Sequence, residues 1–205
     1  MKKTIAIRVS VGVAFLIIFI SSWSQSGKAD LGLLRLFSTA AFVCTLVFNI
    51  WDLWLWRIPW VQLLPGVPRN VRGTWKGVLT SLWIDPETGT TPPPKPAYLV
   101  MHQTASTITA KLLTDEARSI SNLATVSQAD SSFTLAYVYL NKPNMGVEHR
   151  SRMHNGSAIL DLSGSPTIRI KGRYWTDRDS KGELEFLQRN KKTLADDYAE
   201  AEGLF

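Results

Sequence analysis

The chain changes its pattern of apolar and polar positions once, near residue 65. Ahead of that point, residues 5–23 are apolar apart from Arg8, Ser10, Ser21 and Ser22. Residues 31–55 are apolar apart from Arg35, small hydroxyl residues, Asn49 and Asp52. Each run is close to the roughly 20 residues a helix needs to cross a hydrocarbon core of about 30 Å. The short segment between them is polar, with Ser24, Gln25, Ser26, Gly27, Lys28 and Asp30. The pattern predicts a two-helix transmembrane hairpin within residues 1–64. A cleaved leader is the rival reading of the first run, with Ser22-Trp23-Ser24 as its cleavage site. Arg8 interrupts such a leader, and the second run follows too soon for a mature N-terminus.

Beyond a linker at 65–71, where Pro65, Gly66 and Pro68 end the helical pattern, the period becomes two. Segments rich in Val, Ile, Thr, Tyr and Phe predict strands at 72–84, 97–103, 106–113, 119–127, 133–141, 156–163, 167–176 and 182–188. Long loops fall at 86–96, with the stiff Pro92-Pro93-Pro94 tract, and at 142–155. Sequential strands with short links and no helix between them form an antiparallel meander. Closing it removes its two edges. The expectation is therefore an all-β domain over residues 72–190, an eight-stranded up-and-down, lipocalin-like small β-barrel. Eight strands leave an interior that is filled by side chains or holds one small ligand.

Alternation places Trp75, Gly77, Leu79 and Trp83 on one face of the first strand, and Phe133, Leu135, Tyr137 and Tyr139 on one face of the fifth. On the seventh, Ile168, Ile170, Gly172 and Tyr174 oppose Arg169, Lys171, Arg173 and Trp175. Most of these aromatics suit a plain core. A barrel mouth that combines aromatics with arginines can also stack a base and hold a phosphate.

Charge refines this picture. The formal net charge is +6, and an acidic tail at 191–205, with Asp196, Asp197, Glu200 and Glu202, masks a more basic barrel. Such a domain suits an anionic ligand or an anionic membrane face. Lys2, Lys3 and Arg8 precede the first span, Arg57, Arg69 and Arg72 follow the second, and the turn offers only Lys28 against Asp30. The positive-inside rule then puts both termini in the cytoplasm. Trp51, Trp54, Trp56 and Trp60 read as an interfacial belt, and Arg35 lies near enough to a span end to snorkel. No polar stripe that could line a pore runs through the hairpin.

The chemistry of catalysis is missing. Cys44 is the single cysteine, and His102, His149 and His154 show no metal-ligand spacing. Neither a nucleophile elbow nor a phosphate-cradling loop ahead of a helix occurs. No enzyme activity, metal or cofactor is expected.

Two local patterns carry a family resemblance. One is Gly73-Thr74-Trp75-Lys76-Gly77, opening the first strand after a two-span anchor. The other is Gly172-Arg173-Tyr174-Trp175-Thr176-Asp177-Arg178-Asp179-Ser180-Lys181-Gly182-Glu183-Leu184, a closing hairpin, with His154-Asn155-Gly156 ahead of the sixth strand. Gly-x-Trp also opens lipocalins; the Gly-x-Tyr-x-Thr-x-Arg-x-Ser-x-Gly series is the more specific. Together with the order of parts, these resemble the two-transmembrane β-barrel effectors of bacterial CBASS antiphage systems.

The resemblance implies a two-pass protein of the bacterial inner membrane. Its cytosolic barrel would bind a cyclic oligonucleotide, in the first instance a cyclic dinucleotide, made by a CD-NTase nucleotidyltransferase. Ligand-dependent homo-oligomers would then disrupt the lipid bilayer in abortive infection. DNA and RNA are not expected partners. On this reading Arg173 and Arg178 hold phosphate, Trp75 and Tyr174 stack on bases, and Tyr137, Tyr139 and Thr176 complete the ligand-binding set; for Trp75 the plainer role is core. The alternative is a membrane-tethered lipocalin-like protein for an apolar ligand, which requires a mostly apolar cavity. An envelope assembly factor whose barrel binds another protein is a third possibility.

Overall fold

The computed structural model describes residues 31–84, 89–129, 132–149, 151–191 and 193–205, together with Gly12, Phe15, Leu16, Phe19, Ile20 and Trp23. The rest of the first expected span at 5–23, and the polar turn after it, lie outside the described residues. The chain divides into two compact units, residues 1–61 with 104–106 and residues 62–103 with 107–205.

In the first unit, α1 (Leu31–Leu53) is a 23-residue helix. Its hydroxyl and amide side chains turn back onto the helix: Thr39 donates to the Arg35 carbonyl at 2.9 Å, Thr45 to Ala41 at 2.8 Å and Asn49 to Thr45 at 2.8 Å. Such back-bonding leaves few polar groups for an apolar medium to desolvate. Phe42, Leu46 and Val47 are exposed on it. The stretch Ser38–Arg57, with a mean hydropathy of 1.4, is long and apolar enough to cross a membrane.

The second unit is the barrel. Its strands are β1 (Gly73–Ser81), β2 (Lys95–Gln103), β3 (Ile108–Leu113), β4 (Ala117–Ala129), β5 (Ser132–Pro143), β6 (His154–Ser163), β7 (Arg169–Thr176) and β8 (Lys181–Asn190). Every neighbour pair is antiparallel and in chain order, and β8 returns to pair with β1. The expected closed meander is therefore what forms, with changed ends. β1 stops at Ser81 because its last rung pairs Ser81 with Gly182, after which Trp83 N turns back onto the Ser81 hydroxyl. β5 runs through Pro143, two residues beyond the expected end, because Asn141, Lys142 and Pro143 still have partners on β4.

Inward positions alternate as the period of two requires. Leu99, Met101, Leu135, Leu160, Ile170, Leu184 and Phe186 are fully buried, each contributing about 1.5–3 kcal/mol by leaving water. At Gly77 and Gly172, an added Cβ would strike backbone of the neighbouring strand. Near the start of β1 the barrel is filled. Trp75 Nε1 donates to the Val71 carbonyl at 2.9 Å, and the Arg189 guanidinium lies 5.0 Å from the Trp75 ring while donating to the Asn70 and Arg72 carbonyls.

The acidic segment after β8 is a docked strap that contains a helix, a departure from the helix-free soluble half that the sequence pattern suggests. Thr74 Oγ1 donates to the Thr193 carbonyl at 2.9 Å and accepts from Ala195 N at 3.1 Å. The short helix α2 (Tyr198–Glu202) is capped by Asp197, whose carboxylate accepts from Glu200 N at 2.9 Å. Ala195 and Ala201 are buried against Tyr98, Val100 and Leu113 on the outer face of β2 and β3. Acidic residues here serve as a cap and favour the positive end of the helix.

Candidate functional site

The core does not fill the barrel to both ends. Where β1, β3, β5 and β7 finish, a cavity of about 430 Å³ opens among side chains of the strands and their connections. The strands contribute Leu79, Ser81, Lys95, Leu112, Ser119, Tyr139, Asn141, His154, Tyr174 and Thr176; the connections contribute Trp83, Pro92, Glu116, Val147, Ser151 and Arg178.

Two glycines shape this space. Tyr139 on β5 faces Gly156 on β6, and Tyr174 on β7 faces Gly182 on β8. A Cβ at either glycine would run into the phenol opposite, so each tyrosine ring covers its glycine. The rings thereby become part of the cavity wall. Burial raises the pKa of both phenols, with Tyr174 and Asp177 adding to the shift at Tyr139. Both therefore remain neutral hydroxyls that can donate to a ligand.

Charge sits around them. Lys95 Nζ lies 2.7 Å from Glu116 Oε2, and both side chains are about 30 % exposed. Arg178 is carried on the β7–β8 turn. Thr176 N donates to the Ser180 carbonyl at 2.9 Å, Thr176 Oγ1 and Ser180 Oγ are 2.7 Å apart, and Arg178 N donates to Thr176 Oγ1. Asp179 supplies the left-handed residue that the turn needs, with φ of 56°, a conformation Asp tolerates better than most. The Arg178 guanidinium donates to Ser151 Oγ at 3.2 Å and to the Arg152 carbonyl at 3.1 Å, tying this turn to the segment before β6. Aromatic faces, hydroxyls, Arg178 and the Lys95–Glu116 pair thus surround one largely apolar cavity, a combination of the kind that can stack a flat ring and pair with an anion. Among the described residues no cluster of His, Cys, Asp and Glu could hold a metal ion.

The family model described as "Cap15, cyclic dinucleotide receptor domain" matches residues 67–188. The chain belongs to this family. The matched stretch begins in the linker and ends inside β8, so the cavity lies wholly within the receptor domain, while α1 and the strap lie outside the match. The resemblance read from the Gly73–Gly77 and Gly172–Leu184 segments is thus supported for the barrel. No curated protein matches the chain.

Of the seven residues expected to bind ligand, the receptor domain gathers four at the cavity: Tyr139, Tyr174, Thr176 and Arg178. Three lie elsewhere. Trp75 is fully buried at the filled end, where its indole closes the barrel. Tyr137 is also in the core, 5.7 Å from the Tyr139 ring, and its hydroxyl finds no hydrogen-bond partner among the described residues. Arg173 is exposed and one position out of phase with Tyr174, so the pleat turns it to the outside of the barrel. Sequence reasoning missed Lys95, Glu116, Ser119 and Asn141. Ser119 and Asn141 left a faint signal as polar residues at inward positions of their strands; Lys95 and Glu116 left none, since their meeting depends on the register of β2 against β3.

Proposed function

We propose that this chain is a membrane-anchored antiphage effector whose barrel binds a cyclic oligonucleotide in the cavity above Tyr139 and Tyr174. The observation that carries this reading is the cavity itself: aromatic walls with Lys95 and Arg178 beside them, inside a domain matched as a cyclic dinucleotide receptor. The stacking surface suits bases, and the cations suit the phosphates that join them. A volume of about 430 Å³ falls within the range of small-ligand pockets. The protein acts by binding and assembly and catalyses no reaction.

The remaining steps rest on the sequence. Residues 5–23 and α1 form a two-pass hairpin with both termini in the cytoplasm, in keeping with the basic residues at its outer ends. Ligand binding promotes self-association, and clustered hairpins disrupt the inner membrane. A single hairpin has no polar stripe to line a channel, so damage requires many copies.

The test is calorimetric titration of the full-length protein in nanodiscs with cyclic dinucleotides and with a fatty acid. Micromolar or tighter binding of a dinucleotide, worth roughly 8 kcal/mol, is expected, with no competition by the fatty acid. Fatty-acid binding alone would establish the apolar-carrier alternative, which the Leu79, Leu112, Pro92 and Val147 part of the lining favours. A periplasmic reporter fused after Phe205 should stay silent, and a strong signal there would reject the topology.

A further inference from the structure

Ser119 on β4 and Asn141 on β5 are direct cross-strand partners. Both line the cavity, and they are 6 % and 8 % exposed. The Ser119 hydroxyl donates to Asn141 Oδ1 at 2.7 Å. In this arrangement the amide oxygen is the engaged end. Oδ1 is engaged, while Nδ2 finds no acceptor among the described residues. An apolar pair would pack here without desolvating an amide, and burying unmatched N–H groups is unfavourable. Asn141 Nδ2 is not among the sealed, unpartnered polar atoms of the described residues, so its N–H groups are open to the cavity and to whatever acceptor enters it.

Asn141 also stands two residues along β5 from Tyr139, on the same inward face and about 7 Å further toward the mouth. A base resting on Tyr139 would have its edge within reach of the amide. Resting on the cyclic-nucleotide reading above, we infer that the Ser119–Asn141 pair is the base-reading element of the cavity. It presents a fixed N–H donor to an acceptor atom, a ring nitrogen or carbonyl oxygen, on the edge of a stacked nucleobase. Tyr139 accepts any base face, because stacking is sequence-tolerant. The amide supplies the discrimination, as Asn does when it reads base edges elsewhere, and Ser119 is a positioning residue.

The experiment measures dissociation constants of the full-length protein for a panel of cyclic dinucleotides built from adenine, guanine and uracil, and from deaza analogues of the two purines, which lack one ring-nitrogen acceptor. Asn141→Asp, Asn141→Leu and Ser119→Ala variants are compared, each checked for folding by circular dichroism. The wild type should prefer one parent base over its deaza analogue by about 10- to 100-fold. Asn141→Leu should collapse that ratio toward one, and Asn141→Asp, an acceptor in place of a donor, should invert it. Ser119→Ala should narrow the ratio while leaving binding measurable, since the amide can then rotate; it decides the matter if the Asn141 variants fail to fold. If the panel binds and the ratios are unchanged in the folded variants, the base-reading assignment is wrong and the receptor reading stands. If no panel member binds the wild type, both are overturned.

Discussion

Tyr139 occupies the space that a side chain on its cross-strand partner Gly156 would need. The pairing makes a direct prediction about ligand binding. Gly156→Ala should push the phenol off the wall and into the cavity, weakening ligand binding at least tenfold, with a stability loss of about 1–3 kcal/mol. Gly172→Ala is the control, since its added methyl would meet the Ile159 carbonyl and Leu160 backbone. Backbone cannot swing aside, so that variant should lose more stability while the remaining folded fraction binds normally. Equal binding losses in both would mean that Gly156 acts through stability alone.

The tyrosines predict an alkaline limit. Burial raises the pKa of all five, against a usual value near 10. The folded state holds these protons more tightly, so the associated stability is complete below pH of about 10 and is lost as pH rises through the folded values. Spectrophotometric titration should show Tyr198, the half-buried phenol on the outer face, ionising first. Tyr137 and Tyr139 should ionise only as the circular dichroism signal collapses. A smooth titration of all five with native structure retained would contradict their burial.

The rim charges can be separated by mutation. Arg178 is exposed and spends its guanidinium on Ser151 and Arg152. Arg178→Ala should change stability by no more than about 0.5 kcal/mol and weaken nucleotide binding by roughly 1.5–3 kcal/mol. Glu116→Gln should do the reverse, since it frees Lys95 from its counter-ion and should tighten binding of an anion, most visibly at low salt. Unchanged affinity in both variants would remove the phosphates from this side of the cavity.

The strap predicts what truncation does. Removing residues 194–205 would uncover Tyr98, Val100 and Leu113, now at most 2 % exposed. Two or three apolar side chains returned to water amount to roughly 3–6 kcal/mol, an upper estimate. Chemical denaturation should show the loss, and an apolar dye should bind the shortened protein. A truncated chain as stable as the parent would make the strap an ornament of the surface.

Much of the barrel was legible because a closed meander needs only period-two alternation and turn residues, and both are local. The Thr176–Gly182 turn could be read for the same reason: its hydroxyl and glycine spacing is written in consecutive residues. Arg173 and Arg178 look equivalent in a motif, yet the pleat separates them, since one precedes Tyr174 on the strand and the other hangs from the turn. Lys95 and Glu116 are 21 positions apart and meet only through the rungs of β2 and β3. The docking of the acidic tail was not legible, because four carboxylates in thirteen residues hide the Leu194, Ala195, Ala201 and Leu204 that supply its buried side.

Closure of the sheet has a consequence for how copies of this chain can come together. With β8 returned to β1, the sheet has no terminal strand, and the long one-sided stretch is β4 beyond Ser121, where the β3 ladder has already ended at Ile120. Templated strand addition, the route that makes fibres hard to reverse, is thereby limited to that stretch of β4. Elsewhere on the barrel, copies would have to meet through side chains or through their apolar helices. Contacts of that kind respond to ligand, salt and lipid more readily than a shared backbone ladder does.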